Sequence, residues 1–199
     1  MKYRNAEETY YINSQDPQAA AAVSRYLSAM IRDSIAEGRK PVFVCIGSDR
    51  VTGDSLGPII GSELKKTFKK SIPVYGTLEM PIHALNLSYT LTTIKAHHKN
   101  HILIAIDASL GTKEHQGYIT MGKGSLSPGA GVDKDLESVG DIFITGIVGI
   151  SGRFSHLTLQ TTRLSSVIPV AQQITAGILT ACGDHFFLIL KQFCRHDFP

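Results

Sequence analysis

Two short apolar segments constrain the fold of this chain more than any other feature. Residues 41–46 read PVFVCI and residues 101–108 read HILIAIDA. Both are rich in β-branched residues, which is typical of strands covered by other elements on both faces. Amphipathic helical patterns separate and surround them. Such alternation predicts a three-layer α/β/α sandwich around a mostly parallel central sheet.

The other segments fit the same architecture. A glycine-rich stretch, residues 122–135, is predicted to be a functional loop. The N-terminal residues 1–13 are predicted to form a short arm that either packs on a second copy of the chain, which leaves a homo-oligomer open, or frays. Further strands are predicted at residues 72–76, 117–122 and 141–149, and helices at residues 18–38, 54–68, 82–98 and 167–193.

Length and composition restrict the classes of protein to which this chain can belong. With 199 residues it is long enough for one domain, residues 1–199, and too short for two. A formal net charge of +3 is too small to indicate nucleic acid as a partner. Neither a run of about 18 apolar residues nor an apolar signal-peptide core is present, so we predict a cytoplasmic protein without a membrane partner. Three cysteines without zinc spacing indicate buried thiols.

Two aspartates occupy the positions where sheets of this class bind ligands. Asp54 lies at the mouth of the helix after the first apolar strand, and Asp107 ends the second strand. Parallel strands place both at the same sheet edge, where they share a crevice if the strands are neighbours. Two simpler interpretations stay open: Asp54 caps its helix, and Asp107 only accepts hydrogen bonds from loop amides.

The loop before Asp54 resembles a phosphate-binding loop only superficially. Its glycines, Gly47, Gly53 and Gly57, do not fit the G-x-G-x-x-G spacing of dinucleotide-binding proteins. Five residues rather than four separate the first two glycines, and Asp54 stands where a Walker loop has lysine. A carboxylate there would repel polyphosphate, so the sequence argues against nucleotide binding.

A close pair of carboxyl groups supports a specific chemistry. The two groups cannot both ionise cheaply, so the pair retains one proton over a range of pH. The ionised member can then take a proton from water while the protonated member donates to a carbonyl oxygen. The helix N-terminus favours the anion at Asp54, which is therefore the predicted base, and Asp107 is the predicted acid.

Three sequence motifs resemble those of the germination protease of spore-forming bacteria. They are CIGSDRVTGDSLGP at residues 45–58, AIDAS at residues 105–109 and GSLSPGAGVDKDLESVGDIFITGIVG at residues 124–149. The smaller sporulation relatives of that protease resemble nearly the whole chain, and the hydrogenase maturation endopeptidases share the fold. The resemblance implies a phosphorylase/hydrolase-like fold and a sporulation peptidase that acts on a protein or peptide, with Asp54 and Asp107 as its catalytic residues.

The loops around the two aspartates supply the candidate substrate-binding residues. The glycines of SPGAGV allow backbone amides to face a substrate carbonyl, although a plain turn is nearly as good an interpretation. Glu79 follows the strand at residues 72–76 and is either a third acid of the crevice or an exposed loop residue. His83 and His156 lie in loop-like contexts, where surface positions are the default interpretation. The predicted substrate-binding set is Gly47, Ser48, Glu79, Ser127, Gly129 and Gly131.

Departures from the resembled families bear on metal binding. In the hydrogenase maturation enzymes two acids and a histidine bind nickel, whereas this chain has Ser127 where those enzymes tend to have histidine. Ser48 also replaces the asparagine that usually follows Gly47. We therefore expect no cofactor. The alternatives are a metal-assisted peptidase that uses a divalent ion, and a non-catalytic binding protein on the same fold.

Overall fold

The computed structural model describes the backbone of residues 3–4, 8–129 and 137–193, and the side chains of residues 8–129 and 137–183. Short 3-10 turns lie at Thr52–Asp54 and Lys113–His115. In chain order the strands and α-helices are β1 (Tyr3–Arg4), β2 (Tyr10–Asn13), α1 (Ala19–Ala36), β3 (Lys40–Cys45), α2 (Leu56–Phe68), β4 (Val74–Tyr75), α3 (Leu87–His97), β5 (His101–Gly111), β6 (Tyr118–Lys123), β7 (Ser125–Leu126), β8 (Ile142–Ile150), α4 (Ser155–Thr161) and α5 (Leu164–Phe193).

The central sheet has six strands in the order β2-β6-β8-β5-β3-β4. The pairings of β8 with β5, β5 with β3 and β3 with β4 are parallel, whereas β2 with β6 and β6 with β8 are antiparallel. The predicted α/β class is confirmed, with a mixed sheet at its centre. Because β2 is a sheet strand whose Ile12 is buried, the prediction of an arm or a frayed end is wrong for Tyr10–Asn13.

Helices cover both faces of the sheet. Along β3, Phe43 and Cys45 pack in a core cluster with α1, α2 and α5, while Val42 and Val44 pack in a second cluster with α3. This alternation follows from the opposite directions of successive side chains in a strand. It explains why the sequence of β3 is apolar at every position after Lys40. The arrangement is consistent with the predicted three-layer sandwich.

Helix α5 contains a stretch, Leu164–Gly183, that is long and apolar enough to cross a membrane by length and composition alone. The core helix of a sandwich meets the same criterion. In this fold 39% of that stretch is buried, and its inner face, which includes Val167, Ile174 and Ile178, joins the larger core cluster. The apolar character of α5 is therefore used in packing against the sheet layer.

The parallel half of the sheet determines where the aspartates lie. Strands β3 and β5 are direct neighbours, in register from Lys40 opposite His101 to Cys45 opposite Ile106. The order of these strands, which could not be read from the sequence, thus brings the loop that carries Asp54 next to Asp107. The prediction that Asp107 ends its strand is wrong, because β5 continues to Gly111.

Candidate active site

A cavity of about 180 Å³ lies at the carboxyl edge of the parallel strands. Asp54 and Asp107 both line it, and we refer to it as the aspartate cavity. Most of its wall is apolar, with contributions from the end of β3, the start of α3, and α4. Two carboxyl groups in a small, largely apolar space are poorly solvated, which strongly affects their ionisation.

Asp107 belongs to strand β5 and is almost completely buried, with 3% of its surface exposed. The backbone N–H of Ala108 donates a hydrogen bond of 2.8 Å to its Oδ1. Burial, followed by the negative charge of Asp54, raises the pKa of Asp107 well above its ordinary value, and the Ala108 bond opposes this only in part. The simpler interpretation, in which Asp107 only accepts a hydrogen bond from an amide, accounts for one carboxylate oxygen. It does not explain why the Asp107 side chain lines the aspartate cavity.

Asp54 ends the 3-10 turn Thr52–Asp54 and is half-buried. The N-cap residue of α2 is Ser55, and within the described part of the chain no helix amide donates to the Asp54 carboxylate. The capping interpretation of Asp54 is therefore wrong. Burial raises the pKa of Asp54 to about 6.

Gly47 shapes the loop that presents Asp54. Its N–H donates to the carbonyl oxygen of Ile82 at 2.8 Å, and the next amide, that of Ser48, donates to the carbonyl oxygen of Asp54 at 3.0 Å. The φ angle of Gly47 is +142°, and a Cβ atom there would lie 2.0 Å from the Asp54 carbonyl oxygen. Only glycine fits this position without a shift of the backbone.

The surroundings of Asp54 and Asp107 affect the pKa values of the two carboxyl groups to different extents. Asp107 is the more deeply buried of the two and also experiences the charge of Asp54, so Asp54 ionises first as pH rises. Above pH about 6 the pair then carries one negative charge on Asp54 and one proton on Asp107. This is the state that general acid–base hydrolysis requires.

The loop after β7 contributes some of its predicted residues to the cavity. Gly129, with φ of +97°, lines the aspartate cavity beside Pro128. Ser127 is outside the lining, and its Oγ lies 3.2 Å from the Oγ of Ser138. Gly131 lies outside the described residues.

Ser48 and Glu79 line a second, more open depression of about 640 Å³, which we call the outer hollow. Neither lines the aspartate cavity. The Ser48 Oγ accepts a hydrogen bond of 3.2 Å from the N–H of Arg50, and Glu79 is exposed. The structure therefore places these two residues next to the aspartate cavity rather than inside it.

His83 and His156 line both the aspartate cavity and the outer hollow. The default interpretation of both residues from the sequence is a position at the surface. His156 is carried by α4, a short helix that the sequence pattern did not predict, and Leu159 of the same helix forms part of the cavity wall. Helix α4 has one buried residue, so periodicity gave no signal for it.

Within residues 8–129 and 137–183, no three His, Cys, Asp or Glu side chains are grouped so that they could hold a metal ion. Asp54, Asp107, His83 and His156 share a cavity without forming such a group. Ser127, which stands where the metal-binding enzymes tend to have histidine, does not line the cavity.

Comparison with known proteins places the chain in a family. Residues 11–177 match the family described as Protein of unknown function (DUF1256). The chain is 44% identical over 168 residues to the uncharacterized protein YyaC of Bacillus subtilis strain 168. This alignment covers 84% of this chain and 81% of that protein. The relation to proteases stays a prediction from the three motifs. The match over most of its length shows that this chain belongs to the DUF1256 family.

Proposed function

We propose that this protein is a peptidase of the germination-protease type in which Asp54 and Asp107 activate water. The observation that carries the proposal is the presence of two poorly solvated carboxyl groups in one cavity, with the pKa of both raised and the two groups unequally buried. Structural aspartates are generally satisfied by amides or by cations. Buried carboxyl groups with raised pKa values in a cleft are typical of catalytic sites.

The proposed reaction proceeds through two proton transfers at each step. The Asp54 carboxylate takes a proton from water as the water oxygen bonds to the peptide carbon, and Asp107 donates its proton to the carbonyl oxygen. Collapse of the resulting diol breaks the carbon–nitrogen bond. Asp54 then gives its proton to the leaving amine, and Asp107 recovers one from the diol, so the pair returns to its starting state.

The shape of the site supports a peptide substrate. A cavity of about 180 Å³ is smaller than a typical small-molecule pocket of roughly 300–1,000 Å³. It is comparable to an apolar cavity of about 150 Å³ that holds one benzene ring. One apolar side chain next to the attacked bond would fill it, and the outer hollow beside Ser48 and Glu79 leaves room for the chain to continue.

We place this activity in the cytoplasm of a sporulating cell or spore. The support is the resemblance of the three motifs to the germination protease, together with a relative from Bacillus subtilis. The substrate is then a protein or an unfolded peptide, and neither nucleic acid nor a membrane takes part in the reaction.

Mass spectrometry of digests tests the proposal. Purified protein is incubated with spore proteins and with unfolded peptides between pH 4 and 8. We expect cleavage that Asp54→Asn and Asp107→Asn each reduce by at least about 10³-fold, within the range of acid–base contributions. The matched control is Asp33→Asn, an exposed aspartate of α1 that lines neither the aspartate cavity nor the outer hollow and should retain activity.

Three results would contradict or redirect the proposal. Absence of cleavage at every pH favours a binding protein on the same fold. Cleavage that survives in either buried-aspartate variant removes the pair as the catalytic unit. A stoichiometric metal in elemental analysis, together with loss of cleavage after chelation, supports the metal-assisted alternative instead.

A further inference from the structure

Backbone contacts with the end of β3 hold His83 next to the loop that carries Asp54. The preceding residue, Ile82, forms a parallel bridge with Ile46 at the end of β3, and its carbonyl oxygen accepts the N–H of Gly47 at 2.8 Å. The bridge between Ile46 and Ile82 therefore continues the parallel pairing one residue past the end of β3, and His83 follows directly. This places His83 on the wall of the aspartate cavity through backbone contacts.

Asn86 holds the backbone of His83 from the other side. Its Oδ1 accepts the His83 N–H at 2.8 Å, and its Nδ2 donates to the carbonyl oxygen of Pro81 at 3.0 Å. The His83 carbonyl oxygen accepts the backbone N–H groups of Asn86 and Leu87 at 3.1 and 3.0 Å. Both backbone groups of His83 are therefore hydrogen-bonded, a degree of positioning that an incidental surface residue does not need.

The imidazole of His83 has one ring nitrogen engaged. The backbone N–H of Leu85 donates to its Nδ1 at 3.3 Å. A nitrogen that accepts a hydrogen bond carries no proton, so in the neutral ring the proton is on Nε2. Among the described residues no acceptor takes this Nε2 proton. His83 thus offers an N–H donor, without a partner among the described residues, at a cavity that is also lined by two carboxyl groups, His156 and apolar side chains.

Resting on the peptidase function proposed above, we propose that His83 is a third catalytic residue, whose Nε2–H donates to the oxygen of the attacked peptide carbonyl. Negative charge develops on that oxygen as water adds. A second, preorganised donor beside the proton of Asp107 would stabilise it, as donors of an oxyanion hole do. His156 lines the same cavity but is exposed, and within residues 8–129 and 137–183 no hydrogen bond fixes its ring.

The test compares two substitutions of similar size. His83→Gln keeps an N–H donor, whereas His83→Met keeps the bulk and loses the donor. We expect kcat to fall by about 10²-fold in the methionine variant with KM within about threefold, and expect the glutamine variant to recover at least a tenth of the original kcat. His97→Met, at the exposed last residue of α3 and outside both cavities, is the matched control and should stay within about threefold of the unaltered protein. Thermal unfolding of each variant shows whether the fold is intact.

A second measurement does not depend on turnover. Imidazole ¹⁵N chemical shifts of the unaltered protein should show the neutral His83 ring protonated on Nε2. A proton on Nδ1, or a methionine variant that retains its kcat, overturns the role of His83 while leaving the aspartate pair in place. Equal losses in His83→Met and His97→Met also overturn it. No cleavage by the unaltered protein overturns the peptidase function and this role with it.

Discussion

Asp54 and Asp107 are held in position by different kinds of structure. Asp107 is part of β5, a continuous and buried strand, and one of its oxygens accepts an amide proton. Asp54 follows a loop closed by Gly47 and Ser48, lies in a short 3-10 turn, and has more solvent around it. The sheet gives Asp107 its position directly, whereas Asp54 depends on a network of loop hydrogen bonds.

In the mechanism proposed above, this difference gives two identical side chains two different roles. Deeper burial keeps the proton on Asp107, and the less buried Asp54 ionises first. A pair in identical surroundings would share its proton without a preference. The asymmetry of the scaffold therefore assigns the acid and the base.

The largest expected effect is on the loop that holds Asp54. Gly47→Ala should lower the free energy of unfolding by about 4 kcal/mol, because a Cβ atom would lie 2.0 Å from the Asp54 carbonyl oxygen and φ is +142°. Gly152→Ala is the matched control, since a Cβ atom there has no neighbour within 4 Å. Urea unfolding measures both. Equal stabilities would show that the loop adapts and that Asp54 needs no such network.

The next prediction concerns how the stability of the fold depends on pH through the two carboxyl groups. Because burial raises the pKa of Asp54 from 3.8 to about 6, the folded state binds more protons than the unfolded state between these values. The stabilising effect of the protonated group is complete below pH 3.8 and is lost as pH rises through 6. The loss amounts to at most about 3 kcal/mol.

Asp54→Asn should therefore be more stable than the unaltered protein at pH 7 to 8, with the difference vanishing near pH 4. Asp107→Asn should change the pH dependence in the same direction, because burial raises the pKa of Asp107 as well. Urea unfolding between pH 4 and 8 measures both, with Asp49→Asn as the exposed control. Stability of the unaltered protein that rises from pH 4 to 6 relative to both variants would mean that the carboxylates are stabilised as anions.

The smallest effect concerns the outer hollow. Glu79→Gln should raise KM by a few fold with kcat unchanged, since Glu79 is exposed, lies outside the aspartate cavity and can contact only more distant parts of a substrate. Steady-state kinetics on a cleaved peptide measures this, with Glu63→Gln on α2 as a control away from both cavities. A fall in kcat as large as that of Asp54→Asn would make Glu79 a third acid of the site.

Much of the fold could be predicted from local sequence because the strands are buried on both faces. The apolar runs of β3 and β5 and the periodicity of α1 and α5 identified their elements with errors of a few residues. Strand β2 and helix α4 escaped because each buries only one hydrophobic side chain, Ile12 and Leu159. Ser48, Glu79 and Ser127 were predicted to bind substrate, and the structure places all three outside the lining of the aspartate cavity.

The sequence by itself determined which residue types lie at the carboxyl ends of the strands, because apolar runs and glycine turns are local signals. Only the tertiary structure decided that β3 and β5 are neighbours, that Asp107 is more deeply buried than Asp54, and that His83 joins them at one cavity. Strand order and burial depend on contacts between residues far apart in the chain. Local patterns carry no record of such contacts, and the chemistry of this site depends on them.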